Sequence, residues 1–146
     1  MPTYDKNIFY LKESVFTLLD TDTTLKTLLG GDNRIYHKNI PKEAVYPSII
    51  YEIINDTENP YNETKIDGQI TRANIRLTIF SNNSQTEVID NIEARIKNLL
   101  HGQRTLDTTK IICYSCVRDF LGESIKDPNL LVWITPIRYR VTWATK

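Results

Sequence analysis

From Gln69 to Phe80 the chain alternates with a period of two: Thr71, Ala73, Ile75, Leu77 and Ile79 fall on one side, Arg72, Asn74 and Arg76 on the other. Successive side chains of an extended strand point to opposite faces, so this segment belongs in a sheet with one face packed and the other at least partly wet. The packed face needs a cover. Amphipathic helices elsewhere in the chain supply it.

Ile8, Leu11, Val15, Leu18 and Leu19 recur at helical spacing and predict a first helix from about Asp5 to Leu19. Thr21 or Asp22 caps a second, short helix carrying Leu25, Leu28 and Leu29, which Gly30-Gly31 ends. Arg34–His37 reads as a short strand, and Pro41 and Pro47 bracket an irregular connection. Ser48–Asn55 is β-branched and aromatic, a well-buried strand. Ser84 and Glu87 form a capping box for a helix from Gln85 to about Leu100. Its apolar stripe is Val88, Ile92, Ile96 and Leu99, with Glu93 and Lys97 paired on the exposed side.

After a loop over His101–Thr109 come a strand from Lys110 to Phe120 and a last strand from Leu130 to Trp143. In the last strand Leu131, Trp133, Ile137, Tyr139, Val141 and Trp143 share a face. The order α-α-β-β-β-α-β-β predicts an α+β fold, a mostly antiparallel sheet of about five strands with helices on one face. At 146 residues the chain fits one domain spanning residues 1–146. No repeat or low-complexity tract interrupts it.

Charge narrows the function classes. Eighteen basic residues balance eighteen acidic ones, whereas a DNA-binding domain carries a basic excess because phosphate contacts supply most of its affinity. No apolar stretch approaches the length of a membrane span, and the first twelve residues lack the apolar run of a secretion signal. Cys113 and Cys116 fall in a predicted strand. Three apart on a regular strand, they point to opposite faces, which argues against a disulfide or a shared metal and for a reducing compartment.

Catalytic patterns fail one by one. A redox Cys-x-x-Cys pair starts at a helix N-terminus, and these cysteines lie mid-strand. His37 and His101 have no metal-ligand spacing. No serine sits in a nucleophile elbow and no glycine-rich loop follows a strand. The expectation is a protein without catalytic, cofactor-binding or metal residues. A small enzyme whose site leaves no sequence signature is the distant alternative.

Binding features are stronger. Eight tyrosines and two tryptophans favour interfaces as well as cores. The polar stretch Asp56–Gly68 is far longer than a hairpin loop of about 2–5 residues, and connections of that length are usually functional or disordered. Its Asp56, Glu58, Tyr61, Glu63, Ile66 and Asp67 are the candidate contacts to a partner or a neighbouring subunit.

Several short motifs, in order, carry a family resemblance. Leu28-Leu29-Gly30 closes a helical hairpin, Arg34-Ile35-Tyr36 follows, and Pro47-Ser48-Ile49-Ile50-Tyr51 comes after a proline-containing connection. Asp67-Gly68, the alternating strand Ala73–Phe80, the helix Glu87–Leu100 and the closing Tyr139-Arg140-Val141-Thr142-Trp143 complete the series. The chain resembles the tail-completion, or tail-terminator, proteins of long-tailed bacteriophages. The resemblance does not extend to the segment Gly122–Leu130 or to the loop lengths.

The resemblance implies a virion protein at the head–tail junction, assembled in the host cytoplasm. It implies a ring, commonly of six subunits, that caps the head-proximal end of the tail tube and ends its polymerisation. The partners implied are other copies of the chain, the tail tube protein and a head-completion or connector protein, with DNA passing through the ring without specific binding. A head-side connector or neck protein is the alternative.

Overall fold

The structure is a computed structural model that describes residues 4–55, 70–82, 87–129 and 131–146. Helix α1 runs over Tyr4–Thr21 and α2 over Thr23–Leu29. Strands β1 (Ile35–His37), β2 (Ser48–Asn55) and β3 (Thr71–Ser81) follow, then α3 (Glu87–Leu100), β4 (Ile111–Leu121), β5 (Ile125–Asp127) and β6 (Val132–Thr145).

Local chemistry sets the helix ends. The Asp22 carboxylate accepts the Leu25 N–H at 2.9 Å and starts α2. Gly30, at φ 83°, stops it. The N–H groups of Gly30 and Gly31 then satisfy the carbonyls of Thr27 and Lys26, a left-handed close that suits glycine. Ser14 is buried in α1, and its Oγ donates to the Leu106 carbonyl at 2.7 Å, tying the helix to the connection after α3.

The sheet order is β1-β2-β3-β6-β4, with β5 also paired to β6. Among the described residues only β1 and β2 run parallel. Register places Ile49 opposite Ile79, Tyr51 opposite Leu77, Ile75 opposite Tyr139 and Ala73 opposite Val141. These side chains share one face and are buried. Leu11, Val15 and Leu19 of α1, Leu25 and Leu29 of α2, and Ile89, Ile92, Ile96, Leu99 and Leu100 of α3 join them in one core cluster. Each fully buried Leu or Ile contributes about 1.5–3 kcal/mol relative to exposure. The α+β architecture anticipated from the alternating strand is therefore present, and β2 has the residues expected of it.

Several details differ. Among the described residues the sheet has six strands where about five were expected, because Ile125, Lys126 and Asp127 pair with Ile134, Trp133 and Val132. Three residues with a charged centre are too few to show a period. Leu131 is not on the inner face. It is 67% exposed at φ 57°, in the turn that delivers the chain into β6, and its N–H donates to the Asp127 carbonyl.

Glu93 does not stay beside Lys97; it pairs with Arg118 of β4, bolting α3 to the sheet. Finally, Cys113 and Cys116 do not point to opposite faces. The register slips between Cys113, opposite Trp143, and Ser115, opposite Thr142, and this bulge returns Cys116 to the core side opposite Val141. Both thiols are buried. The α3 stripe begins at Ile89, with Val88 only partly buried. Ser84, the expected cap of α3, lies outside the described residues.

Candidate assembly surface

The six candidate contacts Asp56, Glu58, Tyr61, Glu63, Ile66 and Asp67 lie outside the described residues. Their neighbours in sequence, Asn55 at the end of β2 and Ile70 just before β3, are described.

The groups that most invite a chemical reading are occupied structurally. Burial pushes the Cys113 thiol up to about 11 and the Cys116 thiol up to about 12, away from thiolate reactivity. His101 accepts the Arg118 N–H through Nδ1 at 3.0 Å, and the Gly102 N–H donates to the Cys116 carbonyl at 2.7 Å. These bonds fasten the end of α3 to β4. His37 packs against Tyr51, ring centroids 5.0 Å apart. Partial burial, then the charges of Lys12 and Lys38, hold its pKa below the usual imidazole value. Among the described residues no cluster of three His, Cys, Asp or Glu side chains could hold a metal.

A groove of about 410 Å³ runs between α1 and the segment 105–110, lined in part by Tyr10, Glu13, Thr17, Thr108 and Lys110. Several of its polar groups are already engaged. Asp107 accepts the Cys113 N–H at 2.6 Å and meets Arg104 at 3.1 Å, and the Lys110 ammonium sits 4.9 Å from the Tyr10 ring centroid. Nothing converges on the space as a catalytic pair would.

The face of the sheet away from the helices differs in character. Cross-strand register arranges it in rows: Glu52, Arg76, Arg138 and Phe120 in one, Ile54, Asn74, Arg140 and Val117 in the next, then Arg72, Thr142 and Ser115. Four arginines from two central strands therefore share one exposed surface, and Arg76 stands directly opposite Arg138. Like charges so placed repel. A second bulge, between Arg118 and Phe120, sets Asp119 where it meets Arg138 at 2.9 Å and Arg140 at 3.3 Å. Arg72 and Arg76 have no ion pair among the described residues.

Two clefts break this face. One of about 170 Å³ lies among Arg72, Asn74 and Arg140, and one of about 220 Å³ among Arg76, Phe120, Pro136 and Arg138. Ile54, Val117 and Phe120 are exposed between the arginines, and the Arg138 guanidinium lies 5.8 Å from the Phe120 ring centroid. Arginine mixed with aromatic and aliphatic groups is the composition of protein interfaces. The alternation of β3 announced Arg72 and Arg76 as outward-facing. Arg138 and Arg140 follow from the same period in β6, but Asp119 depends on a bulge that no pattern marks.

Among the described residues the molecule is thus a helix-covered sheet with an open, arginine-bearing face. Residues 13–116 match the profile of the tail completion protein gp17 family, and the chain belongs to that family. It is thus a structural protein of phage-type tails, not an enzyme. A search of curated proteins finds no match. Among solved structures, a chain described as "Virion of native gene transfer agent (GTA) particle" superposes with a TM-score of 0.68 at 10% identity, covering 93% of this chain and 95% of that one. At that identity the likeness speaks for the fold.

Proposed function

We propose that the chain is a tail terminator: copies close into a ring, six by the family resemblance, on the head-proximal end of the tail tube. The ring ends tube polymerisation and offers its other side to a head-completion or connector protein. Family membership across residues 13–116 carries this reading. The balance of eighteen basic and eighteen acidic residues suits a channel through which DNA slides without being held. A head-to-tail interface closes when its rotation closes, and mixed surface charge lets identical subunits dock without net repulsion. In this reading Asp56, Glu58, Tyr61, Glu63, Ile66 and Asp67 belong to the contacts between subunits or with the tail.

Adding purified protein to head-free tails tests the proposal. Rings at one end of the tube, seen by electron microscopy, together with tails that no longer elongate, are the expected result. Binding to DNA-filled heads and not to tails would make the chain a head-side connector instead.

A further inference from the structure

Two exposed surfaces of the chain carry complementary chemistry. The open sheet face presents Arg72, Arg76, Arg138 and Arg140, with Ile54, Val117 and Phe120 exposed among them. Asp119 engages Arg138 and Arg140, whereas Arg72 and Arg76 hold no ion pair among the described residues. The opposed pair Arg76 and Arg138 is unfavourable in an isolated sheet, so an occupant that brings carboxylates gains there. A phosphate backbone would leave the apolar side chains uncovered. A protein surface that mixes acids with apolar groups answers both.

Helix α1 bears such a surface. Phe9, Glu13, Phe16 and Asp20 follow one another at spacings of four, three and four residues, which puts them on one stripe of the helix. The stripe faces outward, because Leu11, Val15 and Leu19 bury the other side. Phe9 is 58% and Phe16 37% exposed. Glu13 is exposed and Asp20 half-buried, and neither holds an ion pair among the described residues.

Since α1 packs on the covered side of the sheet, its stripe cannot reach the open face of its own subunit. A second copy can bring it there. The dimensions agree: Phe9 to Asp20 spans about 17 Å at roughly 1.5 Å per residue. From β2 to β4 the open face measures about 14 Å, three strand spacings of roughly 4.8 Å. A helix laid on that face completes a layering in which both sides of a sheet are covered.

We infer that α1 of one subunit covers the open sheet face of the next, Glu13 and Asp20 against the arginines, Phe9 and Phe16 against Phe120, Val117 and Ile54. Each subunit then gives a helix and receives one, a heterologous contact of the kind that closes rings. The inference rests on the ring reading above and names the two surfaces that meet.

The test is charge exchange. Arg72→Glu with Arg76→Glu changes two exposed positions and leaves Asp119 both its partners. This variant should melt like the wild type yet need about tenfold more protein to form rings, on tails or in low salt. Glu13→Lys with Asp20→Lys should fail similarly, and combining all four changes should restore most assembly. Restoring the same net charge outside α1, with Glu43→Lys and Glu123→Lys added to the arginine variant, should not.

If either double variant assembles normally, or the four-fold variant shows no rescue, or the control rescues as well as α1 does, the inference is wrong while the ring stands. Failure of the arginine variant alone would assign the face to a different acidic protein, and normal rings with lost retention on duplex DNA would assign it to nucleic acid; each overturns the inference. A wild-type chain that stays monomeric even on tail tubes refutes the ring reading itself, and this inference with it.

Discussion

Asp22 serves two elements with one carboxylate. It caps α2 through the Leu25 N–H, and it takes a two-pronged grip from Arg95 of α3 at 2.6 and 2.9 Å. The Arg95 hydrogen bond, aided by the cap, holds its pKa below 3.8, against the opposing pull of burial. The folded state therefore releases this proton more readily than the unfolded one. The stabilisation is present above the ordinary carboxylate value and is lost as pH falls through the lower folded value. Asp22→Ala should lower stability by about 1–2 kcal/mol at neutral pH, and Asp22→Asn by less, since it keeps an acceptor for the cap. Urea titrations from pH 7 to 3 check both, and the Asn variant should lose part of the acid dependence.

The cysteines carry the opposite sign. Their thiols are held neutral by burial, with ordinary values of 9.0 raised to about 11 and about 12. Stability contributed by the neutral thiols is complete below pH 9 and falls as pH rises toward those values, because only the unfolded chain ionises early. Neither thiol should react with an alkylating reagent at pH 8 until urea is added. Comparable labelling in native buffer would show that the pair is not core. Replacing both by Ala should cost about 1–3 kcal/mol by leaving small cavities, without touching assembly.

At the scale of elements, the junction of β4 and β5 is closely packed at Gly122. An added Cβ on Gly122 would meet Pro136 Cγ at 2.5 Å, and the Gly122 N–H already donates to the Pro136 carbonyl at 2.8 Å. Gly122→Ala should destabilise by about 1–3 kcal/mol through overpacking, seen as a lower denaturant midpoint. Leu77→Ala in β3 should cost about 2–5 kcal/mol, because its side chain is fully enclosed between the helices and the sheet. Ile54→Ser, on the open face, should stay within about 0.5 kcal/mol. Equal losses at Leu77 and Ile54 would mean that the two faces are not as described.

β2 and β3 were legible in sequence because each is long enough to show its pattern, and α2 because Asp22 and Gly30 bracket it. β5 was not, since a three-residue strand exists only through its pairing with β6.

For the whole molecule, the question is whether folding and assembly separate. Replacing Glu58–Lys65 by a short glycine linker should leave the thermal transition of the domain within a few degrees of the wild type, since β2 and β3 pair in register from Asn55 opposite Ala73 to Ser48 opposite Phe80. The same change should weaken ring formation or tail capping markedly, as read by light scattering over a concentration series. A deletion that assembles as well as the wild type removes residues 56–68 from the interface. Of the candidate contacts, the sequence could mark the acidic stretch by its length and composition. It could not mark the open face of the sheet, whose arginines come from strands more than sixty residues apart and meet only in the sheet.

What the residues determined alone is local and periodic. The two-residue alternation of β3 required a one-sided sheet, the spacing in α1 and α3 required helices to cover it, and short ordered motifs pointed to the family. What tertiary structure decided is where those periods break. A bulge after Cys113 needs a partner strand to slip against, so two cysteines three apart turned to the same face. Glu93 chose Arg118 over Lys97 because α3 packs beside β4. Asp119 became the counter-ion of Arg138 and Arg140 because a second bulge projects it toward β6. Such choices depend on which strand lies alongside, and no stretch of sequence contains its own neighbour.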